Sequence, residues 1–188
     1  MKNKLFSALA LISAIVIFAG TAHAGSPQTG TPGVLKVAFN GDMPMTGQDA
    51  NGNLIGTDGS LMVLIAENLG LKVEPHLMEW SAEIQSTKQG KTDIMHGAMG
   101  WIESRTKIML LTDPIYYFGT AATMKKGNNW TTFADMKGRC VSTVSGFTLV
   151  PELKSVEGIG EVKLYDTTDG ALRDLIAGRC DMALLDPP

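Results

Sequence analysis

Arg105 and Asp186 are the charged residues best placed by the sequence to recognise a small charged molecule. Arg105 follows a strand end and opens a short helical stretch, Glu103 to Met109. A planar guanidinium at such a step can hold a carboxylate through two parallel hydrogen bonds. The plain alternative is an arginine on a solvated helix face. Asp186 comes directly after a strand and before Pro187 and Pro188, which stiffen the turn. Taken by its own neighbourhood, an aspartate that starts a turn is the favoured reading there. Backbone groups are the third resource. Ala98 to Trp101 and Gly146 to Thr148 lie where strands hand over to helices, and free N–H groups at such steps favour anions. Thr148 adds a hydroxyl, which serves equally well as a helix cap.

Two further constellations are weaker. Met43, Met45, Met95, His96 and Met99 offer thioethers and an imidazole, donors that suit Cu(I). Their spacing does not make a tight ligand pair, and methionine is a common gap-filler in cores, so no metal site is assigned. Glu79, Glu83, Glu103 and His96 are the titratable groups near the ligand region, and no two of them form an acid–base pair. No catalytic residue is assigned, and no P-loop pattern points to nucleotide hydrolysis.

The elements that position these residues follow an export signal. Lys2 and Lys4 precede an apolar run from Leu5 to Ala19, and Ala22-His23-Ala24 supplies small residues at a signal-peptidase site. The run is shorter than the roughly 20 residues that a membrane span needs. A cleaved leader over residues 1–24 is expected, with no cysteine after Ala24 to carry a lipid, and hence a periplasmic protein. The whole chain carries 16 basic and 19 acidic residues, and loss of Lys2 and Lys4 leaves it more acidic still. That balance argues against nucleic-acid partners and anionic membrane surfaces. The compartment permits a disulfide between Cys140 and Cys180, the only two cysteines.

Beyond a Gly/Ser/Pro/Thr-rich lead-in, strands and helices alternate. Strands are predicted at Val34–Phe39, Leu71–Met78, Asp93–Met99, Ile115–Met124, Cys140–Val144, Val162–Tyr165 and Asp181–Leu185. Helices are predicted from Ser60 to Leu69 with Asp58 as cap, from Ser81 as cap to Gly90, and over Glu103–Met109, Thr132–Met136, Thr148–Val156 and Asp169–Ala177. The order implies right-handed crossovers and mainly parallel sheets. It occurs twice, joined by Gly119 to Lys126, which gives two lobes, 25–122 and 123–188, with a cleft between them.

Six short segments in order resemble the family 3 extracellular solute-binding proteins, the periplasmic receptors of ABC importers for polar amino acids. They are Leu54-Ile55-Gly56-Thr57-Asp58, Gln89-Gly90-Lys91-Thr92-Asp93-Ile94, Glu103-Ser104-Arg105, Leu111-Thr112-Asp113-Pro114-Ile115-Tyr116-Tyr117, Val144-Ser145-Gly146-Phe147-Thr148 and Leu185-Asp186-Pro187-Pro188. The resemblance implies a type II, two-lobed α/β binding protein that works as a monomer, without a cofactor, beside an inner-membrane ABC permease. It implies that Arg105 takes a ligand carboxylate, that Asp186 takes an α-ammonium, and that Ala98, Gly100, Phe147 and Thr148 line the cleft. It also brings the strands that start at Cys140 and Cys180 side by side, which favours their bridge. Such proteins return from the second lobe to the first, so a second lobe continuing past Pro188 is expected.

The departures from the pattern concern the ligand. Asp42-Met43-Pro44-Met45-Thr46 replaces an aromatic-rich run, Thr57 replaces a phenylalanine, and Gly100 replaces a threonine. Met43 then offers a flexible apolar wall, and Trp80, Trp101 and Phe147 offer aromatic surface. The expected activity is capture of a small amino acid or related carboxylate by hinge closure. A lyase or dehydratase on the same fold, or a sensory or accessory module, is the alternative.

Overall fold

The computed structural model describes residues 27–187. The export signal read over residues 1–24 lies outside them. Among the described residues, no helix is long and apolar enough to cross a membrane.

The first lobe is built on β1 (Val34–Phe39), a run of β-prone residues whose last three are buried. It pairs in parallel with β4 (Lys72–Leu77) on one side and with β5 (Ile94–Met95) on the other. Between β1 and β4 the chain makes a small antiparallel hairpin, β2 (Gly47–Gln48) with β3 (Leu54–Ile55), and then α1 (Thr57–Asn68). Met62 and Ala66 of α1 sit four residues apart on one helix face and pack onto Leu35, Val37 and Phe39 of β1. Helix α2 (Trp80–Lys88) connects β4 to β5, and α3 (Glu103–Thr106) follows β5.

The second lobe has a four-stranded sheet of order β6-β9-β7-β8, formed by β6 (Ala121–Met124), β7 (Cys140–Val144), β8 (Glu161–Tyr165) and β9 (Met182–Leu185). β7 runs parallel to both of its neighbours, and β6 runs antiparallel to β9. α4 (Val150–Ser155) and α5 (Thr168–Ala177) are the crossovers. α5 is well delimited: Thr167 accepts a bond from the Gly170 N–H at its start, and Gly178 takes the left-handed conformation at its end. The α/β class with mainly parallel sheets is as expected.

Four local expectations are corrected. Asp58 does not cap α1, which begins at Thr57 after Gly56; it sits within the first turn and bonds elsewhere. Ser81 is the second residue of α2, not its cap. The strand expected over Asp93–Met99 ends at Met95, because Gly97 and Ala98 take positive φ values of 136° and 55° and turn the chain out of the sheet. The strand expected from Ile115 begins only at Ala121, and 108–120 is irregular, with Leu110 and Tyr117 almost fully exposed.

Cys140 and Cys180 form a disulfide with Cα atoms 4.7 Å apart. It ties the start of β7 to the loop before β9. The Asp181 carboxylate accepts from the Cys140 N–H at 2.8 Å, and the Asp181 N–H donates to the Cys140 carbonyl at 2.9 Å, so the same corner is fastened three times.

Candidate functional site

The lobes meet at Trp80. This residue opens α2 in the first lobe, yet its buried ring belongs to the apolar cluster of the second, with Val144, Phe147, Ala171, Leu175, Ala183 and Leu185. Phe147 meets it edge-on, with ring centroids 6.1 Å apart. The backbones that approach the ring are glycines. A Cβ on Gly97 or Gly146 would lie 3.3–3.4 Å from its atoms or their neighbours, and Gly146 also holds a φ of 86°. Burial of an indole contributes on the order of 4 kcal/mol, which helps hold the lobes together.

Arg105 lies on the other side of this contact. It is only 8% exposed and sits 6.0 Å from the Trp80 ring. α3 carries it, and its two terminal nitrogens part company. Nη1 donates to the carbonyl of Gly100 in the same lobe at 2.9 Å, and Nη2 donates to the carbonyl of Gly146 in the opposite lobe at 2.8 Å. Among the described residues no carboxylate pairs with it directly. Burial pulls its pKa down, and the charge of Asp186 acts against that pull. Asp186 is half-buried just after β9, and burial, then the charge of Asp42, raise its carboxyl to about 6 while Arg105 works to lower it. A buried cation and a half-buried acid therefore act on one another's ionisation from the two lobes.

Gly100 and Thr148 complete this edge. A Cβ on Gly100 would come within 3.1 Å of Thr148 Cγ2 and 3.3 Å of its Oγ1. The absence of a side chain lets the lobes approach, and it leaves the exposed Thr148 hydroxyl beside Arg105's anchoring carbonyl.

Ala98 behaves differently from expectation. Its N–H is not free for an anion, because it donates to Asp58 Oδ2 at 3.1 Å. Asp58 also accepts from the Tyr116 hydroxyl, 3.1 Å from both of its oxygens. Burial and that carboxylate raise the Tyr116 hydroxyl to about 12. Asp58 thus fixes the positive-φ turn after β5 that carries the chain toward Arg105. Met43 stands apart from the group: it is 58% exposed and lies over Gly47 of the β2–β3 hairpin. Trp101 is likewise 55% exposed.

Residues absent from the sequence-derived set close the cleft elsewhere. Asp42 Oδ2 accepts from Asn40 Nδ2 at 2.9 Å and, across the lobes, from Thr168 Oγ1 at 3.0 Å. Asp42 had drawn notice only as part of a run that departs from a pattern, and Thr168 had no local signal at all. Beneath them, Glu83 is fully buried and neither carboxyl oxygen has a partner. Burial, with Asp42's charge added, pushes it up to about 9, so it is neutral at ordinary pH. His96 is also buried without partners, stacked near Phe39, and burial brings it down to about 4. Among the described residues no three His, Cys, Asp or Glu converge as a metal site.

The arrangement is a packed boundary between two α/β lobes with one buried guanidinium, several carboxylates and two backbone turns. Comparison with known proteins gives it a context. An ancestral arginine-binding protein solved with arginine bound is 34% identical, with a TM-score of 0.76 over 82% of this chain and 70% of its own. The arginine-bound form of truncated ArgBP from T. maritima is 30% identical, with a TM-score of 0.76 over 82% of this chain and 74% of its own. Among curated proteins, the L-cystine-binding protein TcyJ of Escherichia coli K12 is 28% identical over 82% of this chain. The chain spans 59% of that relative's length. A family model matches residues 35–179, from the second residue of β1 to the loop before β9, and so covers both lobes and all of the cleft described above except Asp186. The chain belongs to the bacterial extracellular solute-binding proteins, family 3.

Proposed function

We propose that this chain captures a free amino acid between its lobes and presents it to an ABC permease in the inner membrane. The observation that carries the reading is Arg105. It is a buried cation at the lobe boundary, bonded among the described residues to two carbonyls, one from each lobe, with the charge of Asp186 acting on it. An amino acid brings a carboxylate for the guanidinium and an ammonium for Asp186, so one ligand satisfies both lobes at once. Thr148 and the Gly146–Thr148 turn supply further polar groups, and Trp80 and Phe147 supply the apolar wall.

The closed arrangement is stabilised by whatever contacts the ligand makes only when the lobes are together. Binding breaks no covalent bond, and the names of the relatives, arginine-binding and cystine-binding, are those of receptors. We assign residues 1–24 as a cleaved leader on their sequence pattern, the periplasm as the working compartment, and a monomer as the working form.

The test is a thermal-shift screen of the twenty L-amino acids on the full chain. Ligand at about 100 times its Kd adds roughly 2.7 kcal/mol of stability. Arg105→Ala abolishes the shift of any hit if the guanidinium holds the carboxylate. Equal shifts for wild type and variant would contradict the assignment.

A further inference from the structure

We propose that Asp58 is a positioning residue for the ligand site. Its carboxylate, held by Tyr116 of the connector between the lobes, clamps the left-handed turn at Ala98 and so sets the carbonyl that anchors Arg105. The inference rests on the reading of Arg105 as the carboxylate-binding residue, and it adds the device that keeps the guanidinium in place.

Ala98 is the only non-glycine with a positive φ among the described residues, at 55°. A Cβ makes that conformation costly, and it persists only where the surroundings hold it. Asp58 Oδ2 supplies the hold, accepting from the Ala98 N–H at 3.1 Å. Two residues further on, the Gly100 carbonyl accepts from Arg105 Nη1 at 2.9 Å. A turn that relaxes at Ala98 carries that carbonyl away, and Arg105 loses the tie to its own lobe.

The clamp is itself firmly mounted. Asp58 is buried in the first turn of α1, and its own N–H donates to the Met45 carbonyl at 3.0 Å. The Tyr116 hydroxyl donates to the same carboxylate, 3.1 Å from both oxygens. Tyr116 belongs to 108–120, the irregular stretch that leads from α3 of the first lobe to β6 of the second. One carboxylate thus joins the turn that leads to Arg105 with the chain that crosses between the lobes.

The residue type follows from these partners. Asp58 meets two donors, and a carboxylate offers an acceptor to each. An asparagine offers one acceptor and no charge, so it holds Ala98 less firmly. Among the described residues Asp58 has no cationic partner, so an ion pair does not account for its charge.

Isothermal titration of the full chain with each of the twenty L-amino acids identifies the tightest binder, which then serves as the probe. Asp58→Asn is expected to weaken that amino acid about tenfold, the loss of a bond to a charged acceptor. Glycine accepts the left-handed turn without strain. Ala98→Gly added to Asp58→Asn is therefore expected to win back about threefold or more, a larger gain than the same change gives the wild type. Tyr116→Phe, at a residue 39% exposed, is expected to weaken binding about threefold, again with repair by Ala98→Gly, and keeps the test open should Asp58→Asn fail to fold. Wild-type affinity in either variant overturns the inference. A loss that Ala98→Gly leaves unrepaired also overturns it, since Asp58 would then be a ligand contact or a plain stabiliser of the fold. Binding that Arg105→Ala abolishes and Asp58→Asn leaves intact overturns this inference alone and leaves amino-acid capture standing. Absence of Arg105-dependent binding for all twenty overturns both.

Discussion

Arg105 Nη2 donates to the carbonyl oxygen of Gly146 across the lobe boundary at 2.8 Å. The residue to which we assign ligand recognition therefore also helps hold the lobes together. A carboxylate entering the cleft competes with a carbonyl for this donor, and it wins because an ionised acceptor makes the stronger bond.

The close approach of Gly100 to Thr148 sets how far the cleft can shut. Gly100→Val places branched bulk where a Cβ alone would sit 3.1 Å from Thr148 Cγ2. Ligand affinity is expected to fall about tenfold, while ligand-free stability changes by only about 0.5 kcal/mol, because the site lies on a loop. Titration and a denaturant melt of the same variant separate the two effects.

If Asp186 takes the ligand's ammonium, as proposed, binding depends on pH. Its carboxyl is raised to about 6, so it is partly protonated in mild acid and cannot then pair with an ammonium. Affinity is expected to rise with pH up to about 6 and to level off near 7, falling roughly tenfold per pH unit on the acid side. Asp186→Asn flattens that profile. A wild-type profile that is already flat from pH 5 to 7 counts against the role given to Asp186.

Glu83 makes stability depend on pH in the opposite sense. Its folded pKa of about 9 stands above the ordinary 4.5, so the folded state keeps a proton that the unfolded state has lost. Stability is therefore expected to decline as pH rises from about 4.5 toward 9. Glu83→Gln removes that slope. Urea denaturation of both proteins at pH 5, 7 and 8.5 reads the difference.

The disulfide closes a loop across 40 residues. The chain-entropy argument gives it about 4 kcal/mol, and 2–4 kcal/mol is the usual range. The double variant Cys140→Ala, Cys180→Ala is expected to lose that much in non-reducing urea melts. Unchanged stability would show that the two other ties at this corner and the β7–β9 pairing suffice.

Much of the fold was legible in the chain. β1 and β7 follow from short β-rich runs, and α5 from its Thr and Gly boundaries. The site was legible in part. Arg105, Phe147, Gly100 and Thr148 come together with Trp80, while Met43 faces outward. The rest depends on contacts that no local pattern records. Asp58 looks like a helix cap until the positive-φ turn at Ala98, 40 residues later, presents an N–H to it. Asp42 and Thr168 are 126 residues apart and meet only because the lobes do. Glu83 reads from the sequence only as a titratable group near the ligand region, and packing in α2 buries it.

The central claim is that one buried guanidinium receives the carboxylate of a free amino acid. Isothermal titration of wild type, Arg105→Lys and Arg105→Ala with the best ligand of the screen tests it most directly. The account predicts one site per chain in the wild type, a loss of about tenfold or more for lysine, which cannot make the planar pair, and no measurable binding for alanine. Retention of wild-type affinity in Arg105→Ala would contradict it.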